Sequence, residues 1–322
     1  MAEKLLDIKN LTVRYDNSEE SIHAVNDVSF SLNDGETIGL VGETGAGKTT
    51  IAKAILRILN PVTGRIAEGS IEFKGRDLLK LSTKEMQKVR GNEITMIFQD
   101  PMTALNPVKT IGNQIAEVVA LHNGHKNAEA KKRAIEMLEM VGIPAERYNE
   151  YPHQFSGGMK QRVVIAIALA CKPDLLLADE PTTALDVTIQ AQVLDMMKEL
   201  IQKQSTAMVL ITHDLGVVAG NCDKVAIVYA GNVVEVGTKE DVFLHPTHPY
   251  TIGLFGAIPS MTGNEARLNP IKGTPADPSN LPSGCAFWPR CSRATEECKQ
   301  GVIPNVELTP GHLCKCIYAE EE

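Results

Sequence analysis

Apolar and polar residues alternate along Leu5-Leu6-Asp7-Ile8-Lys9-Asn10-Leu11-Thr12-Val13-Arg14-Tyr15, the period of two expected of a half-buried strand. A polar turn from Asp16 to Ser21 leads to a second alternating stretch, His23 to Leu32, which Asn33-Asp34-Gly35 closes with a turn. Together they predict a small antiparallel sheet at the front of the chain. Thr37-Ile38-Gly39-Leu40-Val41 is a short apolar run that predicts a strand, and Ile51 to Leu59 repeats with a helical period. Gly64 to Gly75 is rich in strand formers, residues 83–91 are charged and helical, and Ile94 to Pro101 gives a buried strand ended by Asp-Pro. Residues 105–170 form a mostly helical insert; within it Ala128 to Val141 keeps helical spacing until Gly142 and Pro144 stop it. Asp174 to Pro181, a helix from Asp186 to Gln204 and a strand from Ala207 to Thr212 then alternate, which predicts a mostly parallel sheet covered on both faces. Two short strands flank Tyr229-Ala230-Gly231-Asn232. Frequent Pro and Gly from Asn269 to Gly284 mark an irregular connector.

The element pattern gives special weight to the loop between Val41 and Ile51. Gly42, Glu43, Thr44, Gly45, Ala46, Gly47, Lys48 and Thr49 read G-x-x-x-x-G-K-T between a strand and a helix, the context of a phosphate-binding P-loop. Glycines let successive backbone N–H groups turn toward phosphate oxygens, and the loop delivers those oxygens to a helix N-terminus that favours anions. Lys48 is the candidate for the β/γ-phosphates and Thr49 for Mg²⁺, with Thr50 completing the binding set. The chain is expected to bind a nucleoside triphosphate. Four apolar residues followed by Asp179 and Glu180 place two carboxylates at a strand end, where ligands of open α/β sheets bind. Asp179 suits Mg²⁺ and Glu180 suits polarisation of the attacking water. His213 ends the next strand and is a candidate for the γ-phosphate or a structural residue. Tyr15 is equally a base-stacking candidate and a sheet-packing aromatic.

Composition narrows the setting. At 322 residues the chain is long for one compact domain. Lys and Arg number 32 against 40 Asp and Glu, a net charge of −8, and no basic cluster appears, which argues against a nucleic-acid partner. The start, MAEKLLDIKN, lacks signal-peptide character, and the longest apolar run, Val163 to Cys171, is too short to span a bilayer, so a soluble, cytosolic protein is expected. Five of the seven cysteines fall in the last forty residues, which in a reducing compartment suggests metal ligation rather than disulfides.

Phe155-Ser156-Gly157-Gly158-Met159, leading into an apolar helix, makes the picture specific. In order and spacing these motifs resemble the ATP-binding cassette (ABC) ATPases over roughly residues 5–245. The resemblance implies an α/β P-loop NTPase core with an antiparallel β subdomain and a helical insert. Tyr15 then resembles the base-stacking aromatic and Gln99 the glutamine of the loop that senses the transporter, placed with Thr49 and Asp179 around Mg²⁺. Residues 155–159 resemble the signature motif, whose Ser156, Gly157 and Gly158 donate to the γ-phosphate of an ATP held by a partner. Ala184-Leu185-Asp186 resembles the D-loop and His213 the switch histidine. The family signature usually reads Leu-Ser-Gly-Gly-Gln; here Phe155 and Met159 replace its ends.

The segment His245-Pro246-Thr247-His248-Pro249-Tyr250, running on to Pro259, looks like the start of the C-terminal extension of dipeptide and oligopeptide importer ATPases. The resemblance divides the chain into a cassette, 1–245, and an extension, 246–322, read as a small, irregular, cysteine-rich domain. It also implies an ATPase that powers peptide import from the cytoplasmic face of the membrane. Its partners would be a second ABC ATPase subunit, homologous or identical, two transmembrane permease subunits and, indirectly, an extracytoplasmic peptide-binding protein. The cysteine spacing lacks the paired C-x₂-C of common zinc sites and by itself leaves free thiols, zinc and an iron–sulfur centre open. The resemblance implies a 4Fe–4S cluster on Cys285, Cys291, Cys298 and Cys316, with Cys314 spare and Cys171 and Cys222 structural. An importer ATPase for nickel or a sugar is the nearest alternative. A soluble ABC protein of DNA repair or translation would show two cassettes, coiled coils or basic patches, and the sequence has none of these.

Overall fold

The computed structural model describes residues 4–18, 20–124, 127–183, 185–257 and 270–319. Ala184 of the D-loop, Ile258 and Pro259, Asn269 at the start of the connector and the terminal Glu320–Glu322 lie outside the described residues. The chain forms two compact units, one drawn from Met1–Leu5, Leu32–Thr37 and Lys80–Ile211, the other from Leu6–Ser31, Ile38–Leu79 and Thr212–Glu322.

The second unit opens with β1 (Lys4–Asp16) and β2 (Ser21–Asn33), followed by β3 (Thr37–Val41) and α1 (Lys48–Ile55). β4 (Gly64–Phe73) and β5 (Arg76–Asp77) complete a four-stranded sheet in the order β2-β1-β4-β5. β1 and β4 run antiparallel, with Leu6 opposite Phe73 and Tyr15 opposite Gly64. Leu6 and Ile8 are buried in one phase of the alternation and Leu11 and Val13 in the other; an irregularity between Lys9 and Thr12, where Asn10 has φ 51°, shifts the phase so that both stretches bury their apolar residues.

In the first unit, α2 (Thr83–Val89) begins at a capping box in which the Ser82 hydroxyl accepts the Glu85 N–H and Glu85 reaches back to Ser82. β6 (Ile94–Ile97) and α3 (Pro101–Ala104) lead to the helical insert: α4 (Ile111–Asn123), α5 (Asn127–Met140) and α6 (Gly157–Leu169), which pack on one another. β7 (Leu175–Asp179), α7 (Val187–Gln204) and β8 (Ala207–Thr212) follow. β7 lies between β6 and β8, parallel to both, with Ile94 opposite Leu175 and Asp179 opposite Ile211. Every residue of β7 and β8 is buried, as near-continuous apolar runs in a covered parallel sheet require.

The chain returns to the second unit at α8 (Leu215–Asn221), then forms the hairpin β9 (Lys224–Tyr229) and β10 (Asn232–Thr238). β9 pairs parallel to β3, Leu40 opposite Ala226. α9 (Lys239–Leu244) and α10 (Pro249–Gly256) follow, and the chain ends with β11 (Val306–Thr309) and β12 (His312–Cys314). A separate cysteine-rich terminal domain is not confirmed. β12 pairs antiparallel with β10, Val236 opposite Leu313, and β11 pairs with β12, so these strands extend the sheet of the P-loop unit. Elements of three and four residues carry too little periodicity to be read from the sequence; the open edge of β10 gives them their form. Residues 270–284 contain no helix or strand, as the Pro and Gly content predicts.

Glu235 in the middle of β10 ties this region together. It is completely buried, and its carboxylate accepts the N–H groups of Thr247 (3.0 Å) and His248 (2.9 Å) and pairs with His312 Nε2 (2.9 Å). A buried carboxylate needs such partners, and nothing in the residue pattern around Glu235 announces it. His248 caps α10: its Nδ1 accepts the Tyr250 N–H at 3.1 Å. Its burial lowers its pKa from 6.5 to about 3. The folded state therefore takes up no proton here where the unfolded chain does. This contribution to stability is complete above pH 6.5 and falls as pH drops from 6.5 toward 3, by up to about 1.4 kcal/mol per pH unit. His248→Asn keeps a capping acceptor and removes the titration. Urea midpoints at pH 7 and pH 5 should fall less in the variant than in the parent; equal losses would exclude His248 as a source of acid sensitivity.

Candidate functional site

The strand, glycine-rich loop and helix around residues 42–49 fall in the second unit. β3 is buried at all five positions and feeds Gly42, and Gly47 is the N-cap of α1 with φ 99°. Two glycines are required by close backbone approach. A Cβ on Gly42 would sit 2.0 Å from the Val228 carbonyl oxygen, and one on Gly47 would sit 2.2 Å from that of Ala24. Gly45 has φ +83° in open space, so its requirement is conformational. Lys48 is buried, and its Nζ donates to the carbonyls of Gly42 (2.7 Å) and Glu43 (3.0 Å), which holds the ammonium inside the loop. Thr49 and Thr50 lie in the first turn of α1.

Tyr15 and His213 belong to the same unit. The Tyr15 ring lies across Gly64, where a Cβ would approach Tyr15 Cε1 to 2.9 Å. His213 follows β8 directly and is exposed; the next residue, Asp214, caps α8 by accepting from Gly216 N (2.8 Å) and Val217 N (3.2 Å).

The first unit holds the acidic strand end. Asp179 is buried at the last position of β7. Glu180 follows with φ +46°, a left-handed backbone that a glutamate adopts at a cost. Its N–H donates to Ile211 O at 2.9 Å, which fixes the turn against β8. Its carboxylate Oε2 accepts from Gln99 Nε2 (2.8 Å) and Thr183 Oγ1 (2.9 Å). Two candidates 81 residues apart in the chain, Gln99 and Glu180, thus share a hydrogen bond. Thr183, a third member, had no motif to announce it.

The signature segment starts α6. The Ser156 hydroxyl accepts the Met159 N–H at 3.4 Å, leaving the N–H groups of Gly157 and Gly158 at the helix start. A Cβ on Gly158 would come within 2.6 Å of Ile189 Cγ2, so this glycine also serves the contact with α7. Phe155 and Met159, the two departures from the usual motif, meet the same residue. The Arg147 guanidinium lies 4.2 Å from the Phe155 ring centroid and donates to Met159 Sδ at 3.3 Å. Asp186 caps α7 by accepting the Ile189 N–H at 3.0 Å.

The metal expectation for the terminal cysteines is corrected. Cys285, Cys291, Cys298 and Cys316 line one pocket with His248, Phe287 and Trp288, and Cys314 is fully buried in β12. Burial pushes the Cys285 thiol up to about 11 and also raises those of Cys291 and Cys316. Among the described residues no group of three or more His, Cys, Asp or Glu side chains is placed to hold a metal ion. Neither the 4Fe–4S cluster nor zinc is supported. No helix among the described residues is long and apolar enough to cross a membrane.

Comparison with known proteins matches both parts of the chain. A family model described as ABC transporter covers residues 25–183, and one described as the C-terminal region of oligopeptide/dipeptide transporters covers residues 234–298. The chain is 52% identical to the oligopeptide transport ATP-binding protein OppD of Haemophilus influenzae, spanning 99% of this chain and 98% of the relative. It is 50% identical to the oligopeptide transport ATP-binding protein AppD of Bacillus subtilis over 99% and 98%, and 48% identical to that organism's dipeptide transport ATP-binding protein DppD over 98% and 94%. Among solved structures, the dimeric post-hydrolysis state of the ATP-binding cassette MJ0796 bound to ADP and Pi aligns with a TM-score of 0.65 at 29% identity, covering 72% of this chain and 98% of the other. A Clostridium perfringens cassette, cbiO1 of the cbiONQ transporter complex, aligns with a TM-score of 0.66 at 26% identity, covering 76% and 92%.

Proposed function

The chain belongs to the ATP-binding subunits of peptide ABC transporters, and from that premise we propose how its residues bind ATP and turn it over to drive the import of dipeptides or oligopeptides. The chain is an ABC ATPase. The match of residues 234–298 to the oligopeptide/dipeptide transporter region carries the choice of peptides over nickel or a sugar as cargo.

In this reading the N–H groups of Gly42–Thr49 wrap the phosphates of ATP, and Lys48 adds the positive charge that the β/γ-phosphates need. The Thr49 hydroxyl, the Asp179 carboxylate and the Gln99 carboxamide are hard oxygen donors, the kind that suits Mg²⁺. When bound there, Mg²⁺ supplies charge neutralisation to the transferring phosphoryl group. Glu180 orients and polarises the attacking water, and the hydrogen bonds from Gln99 and Thr183 hold its carboxylate in place. Tyr15 packs against the base and His213 meets the γ-phosphate. Ser156, Gly157 and Gly158 donate to an ATP held by a second ATPase subunit, so that two ATPs are sandwiched between two subunits. Those subunits drive two transmembrane permease subunits from the cytoplasmic face of the membrane, and an extracytoplasmic peptide-binding protein delivers the cargo.

ATPase rates of the purified subunit with its permeases in lipid vesicles test the reading. Peptide-loaded binding protein should raise the rate severalfold. A rise only with nickel- or sugar-loaded binding proteins would overturn the assignment of cargo.

A further inference from the structure

We propose that Arg290 and Tyr250, from the segment beyond β10, are positioning residues for the P-loop. Together they fix the main chain of Glu43 and neutralise its carboxylate where a triphosphate must approach. The inference rests on the ATP-binding reading and extends it to residues more than two hundred positions from the loop.

Glu43 is the second residue of the loop, and its carboxylate is an awkward group there. An anionic side chain beside a bound polyphosphate repels it. Arg290 answers that charge with a fork: NH1 donates to Oε2 at 2.7 Å and NH2 to Oε1 at 3.0 Å. The Arg290 side chain is only 5% exposed while that of Glu43 is 28% exposed, so the pair is screened from solvent on the arginine side. Its Nε donates to Lys272 O at 3.1 Å, and its guanidinium lies 5.7 Å from the Tyr229 ring centroid and 5.9 Å from that of Phe287. The fork is therefore held in one orientation before it meets the carboxylate.

Tyr250 acts on the backbone. Its hydroxyl accepts the Glu43 N–H at 3.0 Å, which commits the first N–H after Gly42 to protein and leaves later ones for phosphate. The ring is fully buried and packs against Tyr229 (centroids 4.7 Å) and Phe287 (5.3 Å). Tyr229 ends β9, the strand paired with β3, so one aromatic cluster braces the loop from its entry strand and from the terminal segment. All these residues lie in the unit that carries the P-loop.

The full-length protein, assayed for MgATP binding with a fluorescent nucleotide and for ATPase kcat and KM with its permeases, separates the possible outcomes. Arg290→Met should raise the Kd and KM for MgATP roughly tenfold while leaving kcat nearly unchanged, because an uncompensated carboxylate then faces the phosphates. Arg290→Lys should recover only part of the loss, since an ammonium cannot make the fork. The double variant Glu43→Gln/Arg290→Met still lacks the arginine but also lacks the charge, and should regain most of the affinity. Tyr250→Phe keeps the ring packing and should raise Kd roughly threefold with an unchanged melting temperature. An unchanged Kd in Arg290→Met, or a double variant that binds as poorly as Arg290→Met, would overturn the proposal. Failure of the ATP-binding reading looks different: the parent protein itself would then bind no MgATP.

Discussion

Glu180→Gln is expected to retain MgATP and to lower ATP turnover by roughly 10²–10⁴-fold, the contribution typical of a positioned general base. The substitution preserves shape. An amide oxygen still accepts from Gln99 Nε2 and Thr183 Oγ1, now 2.8 Å and 2.9 Å from the carboxylate, so the neighbourhood need not rearrange. The backbone requirement at φ +46° is the same for glutamine as for glutamate. Only the basicity of the oxygen is lost. Turnover under saturating MgATP, together with nucleotide binding by the same preparation, measures the two effects separately. A variant that hydrolyses ATP at the parent rate would remove Glu180 from the chemistry, and one that fails to bind ATP would show that the carboxylate serves the fold instead. Thr183→Ala supplies a graded comparison, because it removes one of the two groups that orient the carboxylate and leaves the carboxylate itself.

Lys48→Met is expected to weaken MgATP binding by about 100-fold or more, the loss of charge-assisted hydrogen bonds to phosphate. Methionine keeps most of the apolar stem of this buried side chain, so α1 and the core beneath it should stand. Removing Nζ also frees the carbonyls of Gly42 and Glu43 that it holds at 2.7 Å and 3.0 Å. The loop should loosen, and both losses fall on ground-state binding. Calorimetric titration with MgATP reads the affinity, and the melting temperature without nucleotide reads the fold. Unchanged affinity would mean that the loop's backbone alone suffices for the phosphates. A large drop in melting temperature would mean that the ammonium is chiefly a clamp on the loop.

The two variants act on parts of the chain that were legible to different degrees. The P-loop could be read directly because its strand, its glycines, its lysine and its helix are consecutive, and each local preference agrees with the next. The acidic end of β7 and the Ser-Gly-Gly start of α6 were legible for the same reason. The partnership of Gln99 and Thr183 around Glu180 was not, since a hydrogen bond across 81 residues leaves no periodic trace. The terminal cysteines mark the opposite failure. Their spacing suggests a metal centre, but spacing does not say how side chains lie in space, and the described residues hold no group of three or more His, Cys, Asp or Glu side chains placed for a metal ion.

By itself the sequence determined the antiparallel strands at the front, the phosphate loop, the parallel alternation of strands and helices, and the helical insert with its signature segment. All of these rest on residues within a turn or two of one another, where period and glycine placement dictate the backbone. The tertiary structure alone decided that β11 and β12 extend the sheet at β10, that Glu235 is buried and satisfied by Thr247, His248 and His312, and that Arg290 and Tyr250 close on Glu43. Those contacts join residues far apart in the chain. They form only when packing brings buried polar groups together, and each such group must then find a partner or lose its hydration uncompensated.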